Sequence, residues 1–174
     1  MQIFSAAERV QRDLQQLFEA KLTSGDAYLK LQLTSDVAAL VSMTPVEESR
    51  IVAAEAISPL PNMPPAVIGM MNSRDRVFCI FDLAQLLGLS TQPKVIRQYQ
   101  IAVLKTTGDS IYVGLSVMEL QGIIRFGKEQ IQTYHPAIHP NLIPFTTGVV
   151  AHLETPLAIL NFERVLEQLK PNSN

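Results

Sequence analysis

The side chains best suited to chemistry in this sequence are three histidines, one cysteine and a few neighbouring carboxylates. His135 and His139 are four positions apart, a spacing that would place two imidazoles on one helical face as metal ligands. Pro136 and Pro140 follow them directly, and a long helix through both prolines is disfavoured, so a structural or surface role is expected. His152 falls in a strand-like stretch and is expected to be exposed. Cys79 lies within Val77-Phe78-Cys79-Ile80-Phe81, with no basic neighbour to depress its thiol pKa. It reads as a small buried apolar residue. Glu47 and Glu48 are adjacent, so on a helix or strand they would diverge onto a solvated face rather than form an acid–base pair. No phosphate-cradling glycine loop and no Gly-x-Ser-x-Gly turn occur. The reading is a non-enzyme, with no catalytic residue, no metal ligand set and no cofactor site.

The elements that position these residues must be built from 174 residues, enough for one domain or for two small barrels sharing a core. With 47% hydrophobic residues, a sizeable core can be buried. A formal charge of −2 with no long run of one sign argues against a nucleic-acid surface. No apolar stretch approaches the roughly 18 residues of a membrane span, and the charged start at Glu8, Arg9 and Arg12 lacks a signal-peptide profile. A lone cysteine suits a reducing cytoplasm. The expectation is a soluble cytoplasmic domain without nucleic-acid binding or membrane insertion.

Residues Ser5 to Leu22 read as an amphipathic helix. Ser5 and Glu8 have capping-box spacing, and Val10, Leu14, Leu17, Phe18 and Leu22 form one apolar stripe. The stripe either docks on its own domain or binds a partner. From Tyr28 the period changes to two: Leu29, Leu31 and Leu33 alternate with Lys30 and Gln32, and Ala38 to Met43 gives a second apolar run. Pro59 to Pro65 must be an ordered loop or a sheet edge. Val67–Met71 and Val77–Phe81 flank a turn at residues 72–76 and read as a hairpin, after which Asp82 caps a short helix that Gly88 stops. Ile101 and Val103 alternate from Tyr99, and Ile111, Val113, Leu115 and Val117 return on the next strand. Leu120–Phe126, Thr147–Leu153 and Leu157–Leu160 supply more strands, and Asn161 caps a closing helix from Phe162 to Leu169. Many short strands with close turns favour a barrel or sandwich.

The run from Pro61 to Arg74 resembles a pattern of the CheW family: a proline-bounded loop, a Gly-Val strand and an Asn-x-Arg-Gly turn. Val77 to Leu83 is similar to that family's apolar strand ending in Asp-Leu, and Leu87-Gly88-Leu89 to its helix end. Val117 to Ile123 is similar to its Val-Asp-x-Val-x-Gly-Val, while Thr147-Gly148-Val149 and Leu160 to Leu166 resemble its closing strand and helix. The Met-Pro style of the loop looks like cyanobacterial members, some of which serve phototaxis and type IV pili. Asp75 replaces the turn glycine at a cost of about 1 kcal/mol, Cys79 replaces a strand proline, and Met118 replaces an aspartate. The early Val-x-Glu-Val survives only as Val46-Glu47-Glu48-Ser49.

The resemblance implies a mainly β fold of two small five-stranded β-barrels around a shared core, with an added N-terminal α-helix. The division is residues 1–26 for the helix and linker, 27–170 for the CheW-like domain and 171–174 for a polar tail. It implies an adaptor without cofactors that couples the cytoplasmic tip of a chemoreceptor to the regulatory domain of a CheA-type histidine kinase. One barrel surface would engage the kinase, and a groove between barrels would receive the receptor. Arg74, matching the turn arginine, is the foremost partner-binding candidate, set against a salt bridge to Asp75 or Glu48. Glu48 is the second, and Asn72 and Asp75 complete the set, with Asn72 also serving the turn. A divergent regulator of another protein and a small-ligand-binding barrel are the alternatives.

Overall fold

The structure is a computed structural model in which Gln11 and residues 25–89, 96–108, 110–151 and 154–170 are described. The expected N-terminal helix, the strand position of His152 and the polar tail lie outside the described residues. Strands β1 (Asp26–Gln32), β2 (Ala38–Ser42), β8 (Glu119–Phe126), β9 (Ile131–Gln132), β10 (Thr146–Val150) and β11 (Leu157–Leu160) form a six-stranded sheet in the order β8-β1-β2-β11-β10-β9. Strands β3 (Val46–Ala53), β4 (Val67–Ser73), β5 (Arg76–Asp82), β6 (Gln98–Lys105) and β7 (Tyr112–Val117) form a five-stranded sheet in the order β3-β6-β7-β5-β4. Helices are short: α1 (Leu83–Leu86) follows β5, and α2 (Phe162–Glu167) follows β11.

Successive side chains of a strand point to opposite faces, and here both faces are apolar. In β6, Ala102 and Leu104 enter a core shared by the two sheets, while Ile101 and Val103 enter a second cluster with Val52, Phe78 and Ile80. In the other sheet, Leu29, Val41, Val149 and Leu160 face the shared core, and Tyr28, Leu40, Val150 and Ile159 pack with Phe126 in a third cluster. A sheet buries both faces in this way when it curls around one of them. Each interior is filled by side chains: a methyl added at Gly114 would stand 3.0 Å from Ile80 Cγ1 and 3.2 Å from Phe78 Cε2.

The edges of each curled sheet return towards each other. Past β3, Ser58 pairs with Met70 of β4 through two backbone hydrogen bonds of 2.8 Å, N–H to carbonyl in both directions. At the far end of the same seam, the Arg50 guanidinium of β3 donates to the Ser73 hydroxyl of β4. In the six-stranded sheet, β8 runs into β9 through one tight turn at Lys128–Gln130, so its two outer strands are consecutive in the chain.

The two sheets and few short helices agree with the mainly β expectation, with the two-residue β9 as the sixth strand of one unit. Caps are as read: Asp82 Oδ1 accepts from the Gln85 N–H at 3.1 Å, and Asn161 Oδ1 from the Arg164 N–H at 3.1 Å. Some boundaries differ. Strand β7 begins at Tyr112, leaving Ile111 outside it and exposed, because the Thr106 N–H donates to the Ile111 carbonyl at 2.9 Å and the Ile111 N–H donates to the Thr106 hydroxyl at 3.3 Å in the preceding turn region. Strand β10 ends at Val150, short of the expected Leu153. Cys79 is half-buried against the shared core rather than fully enclosed.

Candidate partner-binding surface

Strands β4 and β5 are joined by a two-residue turn, Arg74-Asp75, with Ser73 opposite Arg76. Both turn residues have positive φ, 48° at Arg74 and 64° at Asp75, as a tight turn matched to the right-handed strand twist requires. Neither has the glycine or asparagine that makes this conformation cheap. Replacing Asp75 by glycine is therefore expected to stabilise the domain by about 1 kcal/mol. Thermal melting should register this as a rise of about 2–4 °C.

The turn projects Arg74 into solvent beside the start of β3. Strand β3 carries a bulge between Val46 and Glu48 against β6. Because the bulge breaks strict alternation, Glu47 and Glu48 do not simply diverge. Both border a small depression of about 120 Å³ with Ser73, Arg74, Arg76 and Phe78. The Arg50 guanidinium lies 3.4 Å from Glu48 Oε1, and Arg50 also donates to Ser73, tying β3 to the hairpin end. Arg76 stacks its guanidinium 4.2 Å above the Tyr112 ring. The three arginines thus differ: Arg50 and Arg76 are committed, whereas Arg74 makes no ion pair or hydrogen bond among the described residues. Neither expected bridge, to Asp75 or to Glu48, is present; Glu48 is taken by Arg50.

Of the remaining candidates, Asn72 sits inside β4 opposite Val77, exposed, and not in the turn itself. His135 and His139 each accept a backbone N–H two residues ahead through Nδ1, at 3.1 and 3.2 Å, and so cap local turns. Among the described residues, no three His, Cys, Asp or Glu side chains come together as a metal site. No helix among them is long and apolar enough to cross a membrane.

A second concavity, whose lining residues the sequence reading did not name, lies between the two sheets. This groove, about 470 Å³, is lined by Leu29 of β1, Met43, Val46 to Ser49, and Leu120, Gly122 and Ile123 of β8. Its floor follows from a bulge in β8: Leu29 pairs with Ile123 but Leu31 with Leu120, and Gly122 takes φ 97° within the extra residue. Glu47 and Glu48 border both this groove and the Arg74 depression, so the β3 bulge is a ridge shared by two adjacent concave surfaces. A further open cleft beside α1 includes Gln100, whose Oε1 accepts from the Leu120 N–H at 2.8 Å, and Asp82, which caps α1.

The chain has a fold like that of the scaffolding protein TtCheW from Thermoanaerobacter tengcongensis, with a TM-score of 0.69, 17% identity, and coverage of 83% of this chain and 94% of that one. No curated protein matches it by sequence. The family model described as CheW-like domain matches residues 31–170, which include the whole five-stranded sheet, the Arg74 turn and every strand of the six-stranded sheet except the first residues of β1. The chain belongs to the CheW-like domain family.

Proposed function

We propose that this chain is a non-enzymatic adaptor of chemotaxis or phototaxis signalling that works in the cytoplasm, coupling a chemoreceptor to a CheA-type histidine kinase. The hairpin end of the five-stranded barrel, led by Arg74, binds the regulatory domain of the kinase, and the groove between the sheets receives the helical receptor tip. The observation that carries this reading is the pair of adjacent surfaces across the β3 ridge, one with an arginine that has no ion pair among the described residues and one with the exposed Ile123 among half-buried apolar side chains. An arginine held on a tight turn presents a planar five-donor fork to a partner carboxylate or carbonyl at reduced entropic cost. Filled barrel interiors leave little room for a small ligand inside either sheet.

Charge reversal at Arg74 tests the kinase half of the reading. Titration calorimetry of Arg74→Glu against a CheA-type regulatory domain should show about tenfold or greater loss of affinity, with the melting temperature little changed. Equal binding by wild type and variant would count against the role given to Arg74. A second reading, regulation of a different protein, draws on Met118, 43% exposed where the family pattern carries aspartate. That reading gains if the wild-type chain binds no such kinase domain at all.

A further inference from the structure

Across the parallel β5–β7 pair, Asp82 stands opposite Ser116, and Ser116 in turn stands opposite Ile101 of β6. The three side chains share the face that lines the interior of the five-stranded barrel, since Ile101 and Ile80, two residues before Asp82, both lie in the cluster there. Ile80 and Ile101 are sealed at 0% exposure, so the face turns from apolar to polar as β5 and β7 reach the barrel mouth. That mouth opens into the cleft beside α1, about 470 Å³, which Asp82, Gln85, Gln98 and Ser116 line together with Ile68 and Tyr99. Asp82 closes β5 and Arg76 opens it, roughly 20 Å apart at strand rise, so this mouth lies at the opposite end of the barrel from the Arg74 turn. We infer that it binds an alkylguanidinium group, with the charged head on Asp82 and Ser116 and the aliphatic stem against Ile68 and Tyr99.

Three observations point to a ligand of this chemistry. The first is an unpartnered buried hydroxyl. Ser116 is the buried polar side chain among the described residues, at 6% exposure, and its hydroxyl makes no hydrogen bond among them. No fully enclosed side-chain nitrogen or oxygen among them lacks a partner, so this hydroxyl opens into the cleft that it lines. A hydroxyl so nearly desolvated costs stability until a group in the cleft completes it. The second is charge. Asp82 is the one charged side chain lining the cleft among the described residues. Its Oδ1 accepts from the Gln85 N–H at 3.1 Å, and Oδ2 makes no hydrogen bond among them. An anion would meet a carboxylate and no cation there, whereas a cationic donor meets a carboxylate oxygen beside a hydroxyl. The third is shape. Neighbouring strands are about 4.8 Å apart, so Asp82 and Ser116 present their oxygens side by side, at a spacing the planar fork of a guanidinium spans. An ammonium, a compact and strongly hydrated point charge, gains less from two separated acceptors. Ile68 and Tyr99 are half-buried against the barrel cluster, and their apolar surface suits an aliphatic stem. A partner's arginine and a small free alkylguanidine carry the same group.

Proton–nitrogen correlation spectra of the full chain, titrated with N-acetyl-arginine methylamide and with agmatine, test the site. The expected result is saturable shifts of amides in residues 82–85, 98–100 and 116–118, with a Kd of about 5 mM or tighter for at least one probe. Asp82→Asn keeps a helix-capping side chain while removing the charge, and should weaken binding about tenfold with the melting temperature little changed. Ser116→Ala, which leaves the cap untouched, should weaken it about threefold. Equal binding of the neutral isostere N-acetyl-citrulline methylamide, equal binding by Asp82→Asn, or no saturation by either cationic probe overturns the inference. Shifts centred elsewhere overturn it too. Agmatine binding as tightly as the arginine derivative supports it and points to a small free molecule as the source. Agmatine binding about tenfold more weakly supports it and points to a partner's arginine.

Discussion

Gly69→Ala should destabilise the domain by about 3 kcal/mol, a melting-temperature drop on the order of 10 °C. Gly69 lies in β4 where Ser58 crosses it. A Cβ there would drive into the Ser58 carbonyl oxygen and stand 2.8 Å from Ile57 Cγ2, both held by the fold. Met70 beside it makes the two hydrogen bonds with Ser58 that close the five-stranded barrel. Relief of the clash requires the Ser58 strand to back away, losing two bonds worth about 1 kcal/mol each in addition to the overpacking cost. Chemical denaturation measures the loss, and amide exchange at Ser58 and Met70 locates it. A change below about 0.5 kcal/mol would mean that the seam does not close the barrel.

Ile123→Glu should reduce affinity for a receptor-tip helix by about 30-fold or more, equivalent to about 2 kcal/mol, while leaving stability nearly unchanged. The side chain is 58% exposed, so the free protein tolerates a carboxylate there. In a complex the same position would be covered within the groove between the sheets, and the new charge would be desolvated beside Leu29 and Met43, with Glu47 and Glu48 adding like-charge repulsion. Fluorescence anisotropy with a labelled tip peptide reads the affinity, and a thermal melt checks the fold. Binding within threefold of wild type would remove the receptor from this groove.

Local chemistry explains which parts of this arrangement the sequence discloses. The β4–β5 hairpin and the Asp82 and Asn161 caps are legible because each depends on residues within a few positions of one another. Strand β3 is not among the sequence-based strands: Glu47, Glu48, Ser49 and Arg50 look like a solvated stretch, and the bulge breaks the period-two signal. In β6 the residues from Ile101 to Leu104 are all buried, since one face lines the barrel interior and the other the shared core, so simple alternation understates the burial. The link from Arg50 to Ser73 joins positions 23 residues apart and appears only when β3 and β4 meet. The groove at Ile123 is illegible for a similar reason: the sequence places Ile123 in the strand Leu120–Phe126, but where the opposite sheet stops covering that strand is a tertiary fact.

Arg74 shows how family resemblance and geometry divide the work. The turn motif singles it out, and the positive φ of 48° explains why the position is costly for a non-glycine residue. What the motif does not convey is that its neighbours Arg50 and Arg76 are already engaged, whereas Arg74 has no ion pair among the described residues.

Both proposed docking faces lie on either side of one ridge, and an adaptor must hold its two partners together. Sedimentation velocity of the chain mixed with a CheA-type regulatory domain and a receptor-tip fragment tests this most directly. One sedimenting species containing all three components, absent when this chain is left out, is the outcome the adaptor reading requires. Mutual displacement of the two partners, or failure of either to bind the wild-type chain, would contradict it.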